Sequence, residues 1–310
     1  MKPRTALILC AGLGTRLRPL ADERAKPALP VGGEALARRI VRWLAAHGVT
    51  NLVVNLHHRP ETLTAVLGDG SDLGARIRYS WEQPRVLGSA GGPRKALPLI
   101  DADTFFLVNG DTIAEVDLDA MAEAHATSGA LVTLAVVPNR DYGRYGGLHL
   151  DDRGMVTRFS RRGDDSKGTW HFVGTQIVSR SVFAALDEGQ PANTIGQVYD
   201  DLIRTDAGAV AAFRCDVAFW DIGTPADYLR TSVALSPGGV ATGARTEIDA
   251  SATVSESVLW NDVKIGARSR LTGCIVTDGV QIPAGADYTS TILMLRDGAL
   301  TALPLEPAHG

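Results

Sequence analysis

The sequence predicts an α/β domain followed by a short β-solenoid, and three observations carry that prediction. Apolar runs alternate with helical patterns from residue 1 to about 110, strand-like segments dominate from about 130 to 180, and a repeat of 17 residues begins beyond Ser236. The βαβ rhythm of the first region argues for a parallel sheet covered by helices, with ligand at the carboxyl ends of its strands. At 310 residues the chain suits one large domain plus a small one.

The elements follow in order. Ala6-Leu-Ile-Leu-Cys10 reads as a buried strand. Glu34 to His47 carries apolar residues at Leu36, Ile40, Val41 and Leu44, a helical stripe that Gly48 stops. Leu52 to Asn55 is the next strand. Pro60 to Leu67 opens with proline in a first-turn position and reads as a helix. Arg76–Tyr79 and Thr104–Val108 are further strands. The strands expected at Ala130–Val137, Gly146–Leu150, Val156–Phe159 and His171–Ser179 suggest an inserted, partly antiparallel lobe. A helix over Ile195–Thr205, a strand at Val210–Arg214 and a helix over Pro225–Leu235 complete the large domain.

Ser236-Pro-Gly-Gly-Val240 is a break of turn residues. Ile248, Ile265 and Ile282 then each begin a similar unit, and ten residues after each comes Val258, Ile275 or Ile292. Short strands punctuated by glycine and small residues at a fixed period are a solenoid pattern.

Composition narrows the function. A net charge of -4 with no basic tract leaves no electrostatic footprint for nucleic acid. No apolar stretch reaches the roughly 18 residues of a membrane span. The first residues run directly into a strand without a signal-peptide pattern. Cys10, Cys215 and Cys274 are scattered, with no metal spacing, and read as buried apolar residues in a reducing compartment. A cytoplasmic location is the expectation.

The chemistry centres on Ala11-Gly-Leu-Gly-Thr-Arg-Leu-Arg-Pro-Leu20 and the following Lys26-Pro-Ala-Leu-Pro30. A glycine loop after a strand lets backbone N–H groups approach phosphate oxygens, and Arg16 and Lys26 would neutralise their charge. Gly12-x-Gly14 is shared with dinucleotide folds, but their third glycine would fall at Leu17. The Gly-Lys-Ser/Thr of a Walker loop is absent. Two aspartates stand out elsewhere. Asp111 follows the strand Thr104–Val108, and Asp221 lies in Trp220-Asp-Ile-Gly-Thr-Pro225 ahead of a helix. A lone aspartate at such a place is also an ordinary turn residue or cap.

The run G-x-G-T-R-L-x-P-L with K-P-x-L-P beyond it resembles the signature of the sugar-1-phosphate nucleotidyltransferases, and the likeness extends through most of the chain. It implies a Rossmann-like nucleotidyltransferase domain with a mixed, mainly parallel sheet over residues 1–236. It also implies a short left-handed parallel β-helix over 237–310. In that family pattern Asp111 and Asp221 match the metal-binding positions, and two carboxylates suit Mg²⁺. Arg16 and Lys26 become phosphate-binding catalytic residues, with Ala11, Gly12, Gly14 and Thr15 around the nucleotide. Trp81-Glu-Gln-Pro-Arg-Val-Leu87-Gly-Ser-Ala-Gly-Gly92 resembles the segment lining the base pocket. It adds Gln83, Leu87, Gly88, Ala90 and Gly91, with backbone groups open to a base edge, or else forms a loop capping a helix that runs to Leu99. Gly146 and Gly174 lie in segments that resemble the sugar side. The family's Glu-Lys pair there is replaced by Arg161-Arg162: either Arg162 still holds phosphate, or the two arginines form a solvated surface pair. Asn193 reads as a helix N-cap. His57 is expected near the base pocket, with His58 solvated.

The implied activity is Mg²⁺-dependent transfer of a nucleotidyl group from an NTP to a sugar 1-phosphate. GTP with a mannose-like or heptose 1-phosphate comes first, and uridylyl or adenylyl transfer to another sugar 1-phosphate is the alternative. A non-catalytic regulatory homologue that keeps the pocket is the rival from another class. The coils hold no catalytic histidine, which disfavours an acyltransferase. Exposed coil edges would favour a homodimer through the β-helix.

Overall fold

The computed structural model describes residues 2–306. Packing divides the chain into two compact units: one holds the chain up to Leu13 together with Ile40–Trp220, the other Gly14–Arg39 and the chain from Asp221 onward.

The first unit is built on a nine-stranded sheet. Its strands are β1 (Thr5–Leu9), β2 (Asn51–Leu56), β3 (Arg76–Trp81), β4 (Thr104–Asn109), β5 (Val132–Pro138), β6 (Gly147–Leu150), β7 (Val156–Ser160), β8 (Trp170–Ser179) and β9 (Val210–Arg214). The order runs β7-β6-β8-β4-β1-β2-β3, and β5 joins both β8 and β9. β1 lies between β2 and β4 and is parallel to both. Ala6, Leu7 and Ile8 are wholly buried, as a parallel strand covered on both faces requires. Leu7, Val53, Leu107, Phe105, Val178 and Tyr199 belong to the core on one side of this sheet.

The strands between 130 and 180 do not form a lobe of their own. β8 pairs antiparallel with β4, Thr175 opposite Val108, and so continues the parallel sheet. The reason is that the outer edge of β4 offers unpaired backbone groups that a strand of either direction can satisfy.

Six helices position the residues discussed below: α1 (Leu36–Ala46), α2 (Pro60–Leu67), α3 (Gly88–Ala96), α4 (Leu118–Ser128), α5 (Tyr199–Thr205) and α6 (Pro225–Ala234). Two of them depart from the sequence reading. Gly88–Gly92 is not a loop capping a helix but the first turns of α3 itself, because its small residues let the helix lie close against the 190–192 segment. The helix expected from Ile195 starts only at Tyr199. Ile195 and Gly196 are non-helical, and the Asn193 side chain caps nothing. Helix α4, which the sequence reading did not assign, is capped by the Asp117 carboxylate, which accepts from Asp119 N and Ala120 N at 3.0 Å each.

In the second unit the 17-residue repeat closes into stacked coils with three parallel faces. One face stacks Glu247–Ile248, Lys264–Ile265 and Gln281–Ile282, with the three isoleucines in register. A second stacks Thr253–Ser255, Arg270–Thr272 and Asp287–Thr289. The third runs from Val240–Thr242 through Ser257–Leu259 and Ile275–Val276 to Thr291–Arg296, and ends in an antiparallel hairpin with Ala299–Pro304. Equivalent corners recur in left-handed backbone at Arg245, Asp262 and Gly279. Leu259, Ile265, Leu271, Val276, Ile282 and Leu293 fill the interior. Val258, Ile275 and Ile292 alternate with interior residues and so face outward, yet they too are buried. Helix α6 packs on the strands Val240–Thr242 and Ser257–Leu259 of this face.

Candidate active site

In the first unit the carboxyl ends of β1 and β4 meet. Leu9 stands opposite Asn109, and Gly110 N donates to the Leu9 carbonyl at 3.0 Å. A Cβ on Gly110 would lie 2.6 Å from Cys10 Sγ and 2.7 Å from Leu9 O, so only glycine allows this approach. The next residue in each chain direction is chemically loaded. β1 leads through buried Ala11 to exposed Gly12, and β4 leads to the half-buried Asp111. The Cys10 thiol is held well above its usual range, by burial first and by the charge of Asp111 second. It is a packing residue, not a nucleophile. Because β2 lies on one side of β1 and β4 on the other, this is the point where the strand order reverses, the ligand position of open α/β sheets.

Of the residues expected on the sugar side, Gly174 reaches the same strand end. Gly174, in left-handed backbone at φ 90°, sits where a Cβ would lie 2.5 Å from Thr112 Oγ1 and 3.0 Å from Asn109 Cβ. Thr112 Oγ1 also donates to the Val173 carbonyl at 3.3 Å. Gly146 lies farther along. Its carbonyl is 3.3 Å from His171 Nδ1, and His171 packs against Tyr145 and Phe219 with ring centroids 4.3 and 5.0 Å away. Arg162 is exposed, with its backbone nitrogen 3.9 Å from the Cβ position of Gly146.

The base-side segment differs from expectation in one respect. The N–H groups of Ala90 and Gly91 both donate to the Ala192 carbonyl, at 2.9 and 3.2 Å, and Ala192 N donates back to Leu87 O at 2.9 Å. They hold α3 to its neighbour instead of standing open to a base edge. Leu87 is buried, Gly88 half-buried and Gln83 exposed.

Two residues that sequence reasoning did not single out organise this end of the sheet. Glu82 is fully buried. Its Oε1 accepts from Asn55 Nδ2 at 2.7 Å and its Oε2 from Leu87 N at 2.6 Å. Asn55 Oδ1 in turn accepts from Cys10 N at 2.5 Å. The relay thus ties the ends of β1, β2 and β3 to the start of α3. Burial raises the Glu82 carboxyl above its usual value, against the opposing effect of the Leu87 and Asn55 hydrogen bonds. Gly92 has no alternative residue, since a Cβ there would lie 2.4 Å from Glu82 Oε1. His57 donates from Nδ1 to the Glu82 carbonyl at 2.7 Å, and His58 is half-buried. A polar Asn55 ending the apolar Leu52–Val54 run was the available signal.

In the second unit, Gly14 takes left-handed backbone at φ 62° and starts the single turn Thr15–Leu17. Leu17 is fully buried and anchors that turn, leaving Thr15 and Arg16 exposed. Lys26 is only 8% exposed, in the turn Lys26–Ala28. Gly223 gathers the charged groups. A Cβ there would lie 3.2 Å from Asp221 Oδ2, 3.4 Å from Asp227 Oδ2 and 3.6 Å from Arg16 Nη1. Thr224 caps α6 by accepting from Asp227 N at 3.2 Å, and its hydroxyl donates to Asp227 Oδ2 at 2.9 Å. Arg230 donates to the other Asp227 oxygen at 2.7 Å. Asp227 is therefore a buried organiser of the Asp221 turn.

Comparison with known proteins identifies the family. A family model described as nucleotidyl transferase matches residues 5–237. The chain belongs to this family. A second model, described as the GlmU-like C-terminal hexapeptide, matches residues 239–288 of this nucleotidyl transferase. Among its relatives, a mannose-1-phosphate guanylyltransferase of Mycobacterium tuberculosis is 29% identical over 90% of this chain and 81% of its own length. A UTP–glucose-1-phosphate uridylyltransferase of Synechocystis is 28% identical over 89% and 76%. A D-glycero-alpha-D-manno-heptose 1-phosphate guanylyltransferase of Aneurinibacillus thermoaerophilus is 29% identical over 72% and 94%. The crystal structure of HddC from Yersinia pseudotuberculosis shares the fold, with a TM-score of 0.64 and 24% identity over 75% of this chain and 98% of that one. Among the described residues of this nucleotidyl transferase, no helix is long and apolar enough to cross a membrane, and no three His, Cys, Asp or Glu converge as a metal cluster.

Proposed function

We propose that this nucleotidyl transferase moves a nucleotidyl group from an NTP to a sugar 1-phosphate and releases pyrophosphate. The observation that carries the reading is the Leu9–Asn109 register, which sets Gly12 and Asp111 at adjacent strand ends where the strand order reverses. A sugar-phosphate oxygen attacks the α-phosphorus in line, a P–O bond forms, and the bond to the departing pyrophosphate breaks. The nucleophile is already an anion, so no general base is needed. What remains for the protein is positioning and neutralisation of charge.

Arg16 holds the departing β- and γ-phosphates, and Lys26 a phosphate oxygen at or beside the α-position. Ala11, Gly12, Gly14 and Thr15 surround the triphosphate, with Gln83, Leu87 and Gly88 on the base side and Ala90 and Gly91 setting its wall. Gly146, Gly174 and Arg162 face the sugar phosphate. The two carboxylates Asp111 and Asp221 are oxygen donors, each half-buried. That donor set fits Mg²⁺, a hard cation that keeps several waters. When bound, Mg²⁺ supplies charge neutralisation at the phosphates. Residues 1–236 form the transferase part and 237–310 the β-helix part, whose last residues, 307–310, lie outside those described. We place the protein in the cytoplasm. We further propose a homodimer through the β-helix, whose first coil leaves the Glu247–Ile248 edge exposed.

The test is a matrix of NTPs against sugar 1-phosphates, read by pyrophosphate release with Mg²⁺. The highest rate is expected for GTP with mannose 1-phosphate or a heptose 1-phosphate, with UTP and glucose 1-phosphate next. Binding of sugar nucleotides without turnover for any pair would mark a regulatory homologue and end the proposal.

A further inference from the structure

The segment that carries Lys26 is held at both ends by residues from the C-terminal part of the chain. At its start, the Arg24 guanidinium donates to Asp278 Oδ2 from Nε at 3.0 Å and also from Nη2. Asp278 sits at a corner of the coil, where its Oδ1 accepts from Asn261 N at 3.0 Å. The same guanidinium lies over the Trp260 ring, 5.0 Å from its centroid. Trp260 is fully buried, and its indole N–H donates to the Tyr228 hydroxyl at 2.8 Å. Tyr228 then closes the circuit: its hydroxyl donates to the Pro30 carbonyl at 2.6 Å, at the far end of the Lys26 segment. Five residues, Ala25 to Leu29, lie between the two anchors.

The arrangement has physical consequences. A buried lysine on a short turn needs its backbone fixed if its ammonium is to stay within contact distance of one phosphate oxygen. A charge-assisted contact that also stacks on an indole fixes direction as well as distance. The Arg24 side chain is 17% exposed, so solvent screens this pair less than an open surface pair. Arg24, Asp278, Trp260 and Tyr228 touch no reacting group in this reading.

We infer that Arg24 and Asp278 are positioning residues for Lys26, and that the β-helix is a working part of the phosphate grip. The inference rests on the nucleotidyl-transfer reading. Its test separates the two by using one readout that needs no substrate.

Asp278→Asn is the informative variant, because asparagine keeps the acceptor for Asn261 N and loses the charge facing Arg24. In the full chain, amide exchange over residues 25–29 is expected to quicken by about tenfold, with exchange in β1 and β4 unchanged. In the pyrophosphate assay kcat is expected to fall by about tenfold, while KM for the sugar phosphate stays within about twofold. Arg24→Lys should retain more kcat than Arg24→Ala. The double variant Arg24→Ala/Asp278→Asn should be no worse than the poorer single, since both remove one contact. If Asp278→Asn folds and leaves both the exchange of 25–29 and kcat unchanged, the inference is wrong. Additive losses in the double variant would also overturn it. An inactive wild type would instead strike the functional reading, and the exchange measurement would still decide the positioning role.

Discussion

Arg16 and Asp221 converge on Gly223: the guanidinium Nη1 lies 3.6 Å and the carboxylate Oδ2 3.2 Å from the point where a side chain would begin. More than two hundred residues of sequence separate the cation of the glycine loop from the carboxylate of the Trp-x-Asp-Ile-Gly-Thr-Pro turn. A missing Cβ keeps the space between them open.

Gly223→Ala should therefore act on activity before stability. The new methyl sits 3.2 Å from Asp221 Oδ2, so that carboxylate must give by a few tenths of an ångström, and 3.4 Å from Asp227 Oδ2, an ordinary contact. A fall in kcat of about tenfold or more is expected, with the melting temperature nearly unchanged. Pyrophosphate release and thermal melting of the same preparation check it.

Asp111→Asn removes a charge at the end of β4 with almost no change of shape. Turnover should fall by about a hundredfold or more, and circular dichroism should show an intact fold. Near-normal turnover in this variant would refute the metal assignment.

Gly110→Ala tests the meeting of β1 and β4. A Cβ at 2.6 Å from Cys10 Sγ and 2.7 Å from the Leu9 carbonyl has backbone on one side and a buried thiol on the other. Strain of about 1–3 kcal/mol should lower the denaturation midpoint, and displacement of the adjoining Asp111 should reduce kcat as well. Equilibrium denaturation compared with Gly143→Ala, whose backbone is not left-handed and whose Cβ would have only Asp141 Oδ1 within 4 Å, at 3.8 Å, separates crowding from simple loss of glycine.

Glu82 gives the pH dependence. Burial raises its carboxyl above the usual value of 4.5, so the folded state holds a proton in a window where the unfolded chain has lost it. The unfolded state binds fewer protons there, and the stability contributed by this group declines as pH rises from about 4.5 through the raised native value. Glu82→Gln does not titrate. The melting temperature of the wild type relative to Glu82→Gln should therefore drop as pH increases across that window, and a difference that grows with pH would contradict this account.

Much of the architecture was legible in local pattern. Helix α2 lies where its first-turn proline places it, and β9 where its apolar run lies, because both signals are carried by consecutive residues. The register of Ile248, Ile265 and Ile282 was also readable, since a period repeats whatever the chain packs against. The start of α5 was not legible: Asn193 looks like a cap, but Ile195 and Gly196 leave helical geometry before the helix begins. Glu82 stands within the Trp81–Gly92 motif, yet nothing in its local pattern marks it as buried.

The class of chemistry is carried by contiguous motifs: the glycine loop with Arg16 and Lys26, and the two aspartates in longer patterns, make the family resemblance. Tertiary structure alone decided which residues support them. Antiparallel β8 joins the parallel sheet, Asn55 and Glu82 connect three strand ends to α3, and Arg24 reaches Asp278 across 254 residues of chain. Those contacts depend on burial and on distances that close only when separate segments pack. No local pattern encodes them, because hydrogen-bonding capacity is a property of the residue but the identity of its partner is a property of the fold.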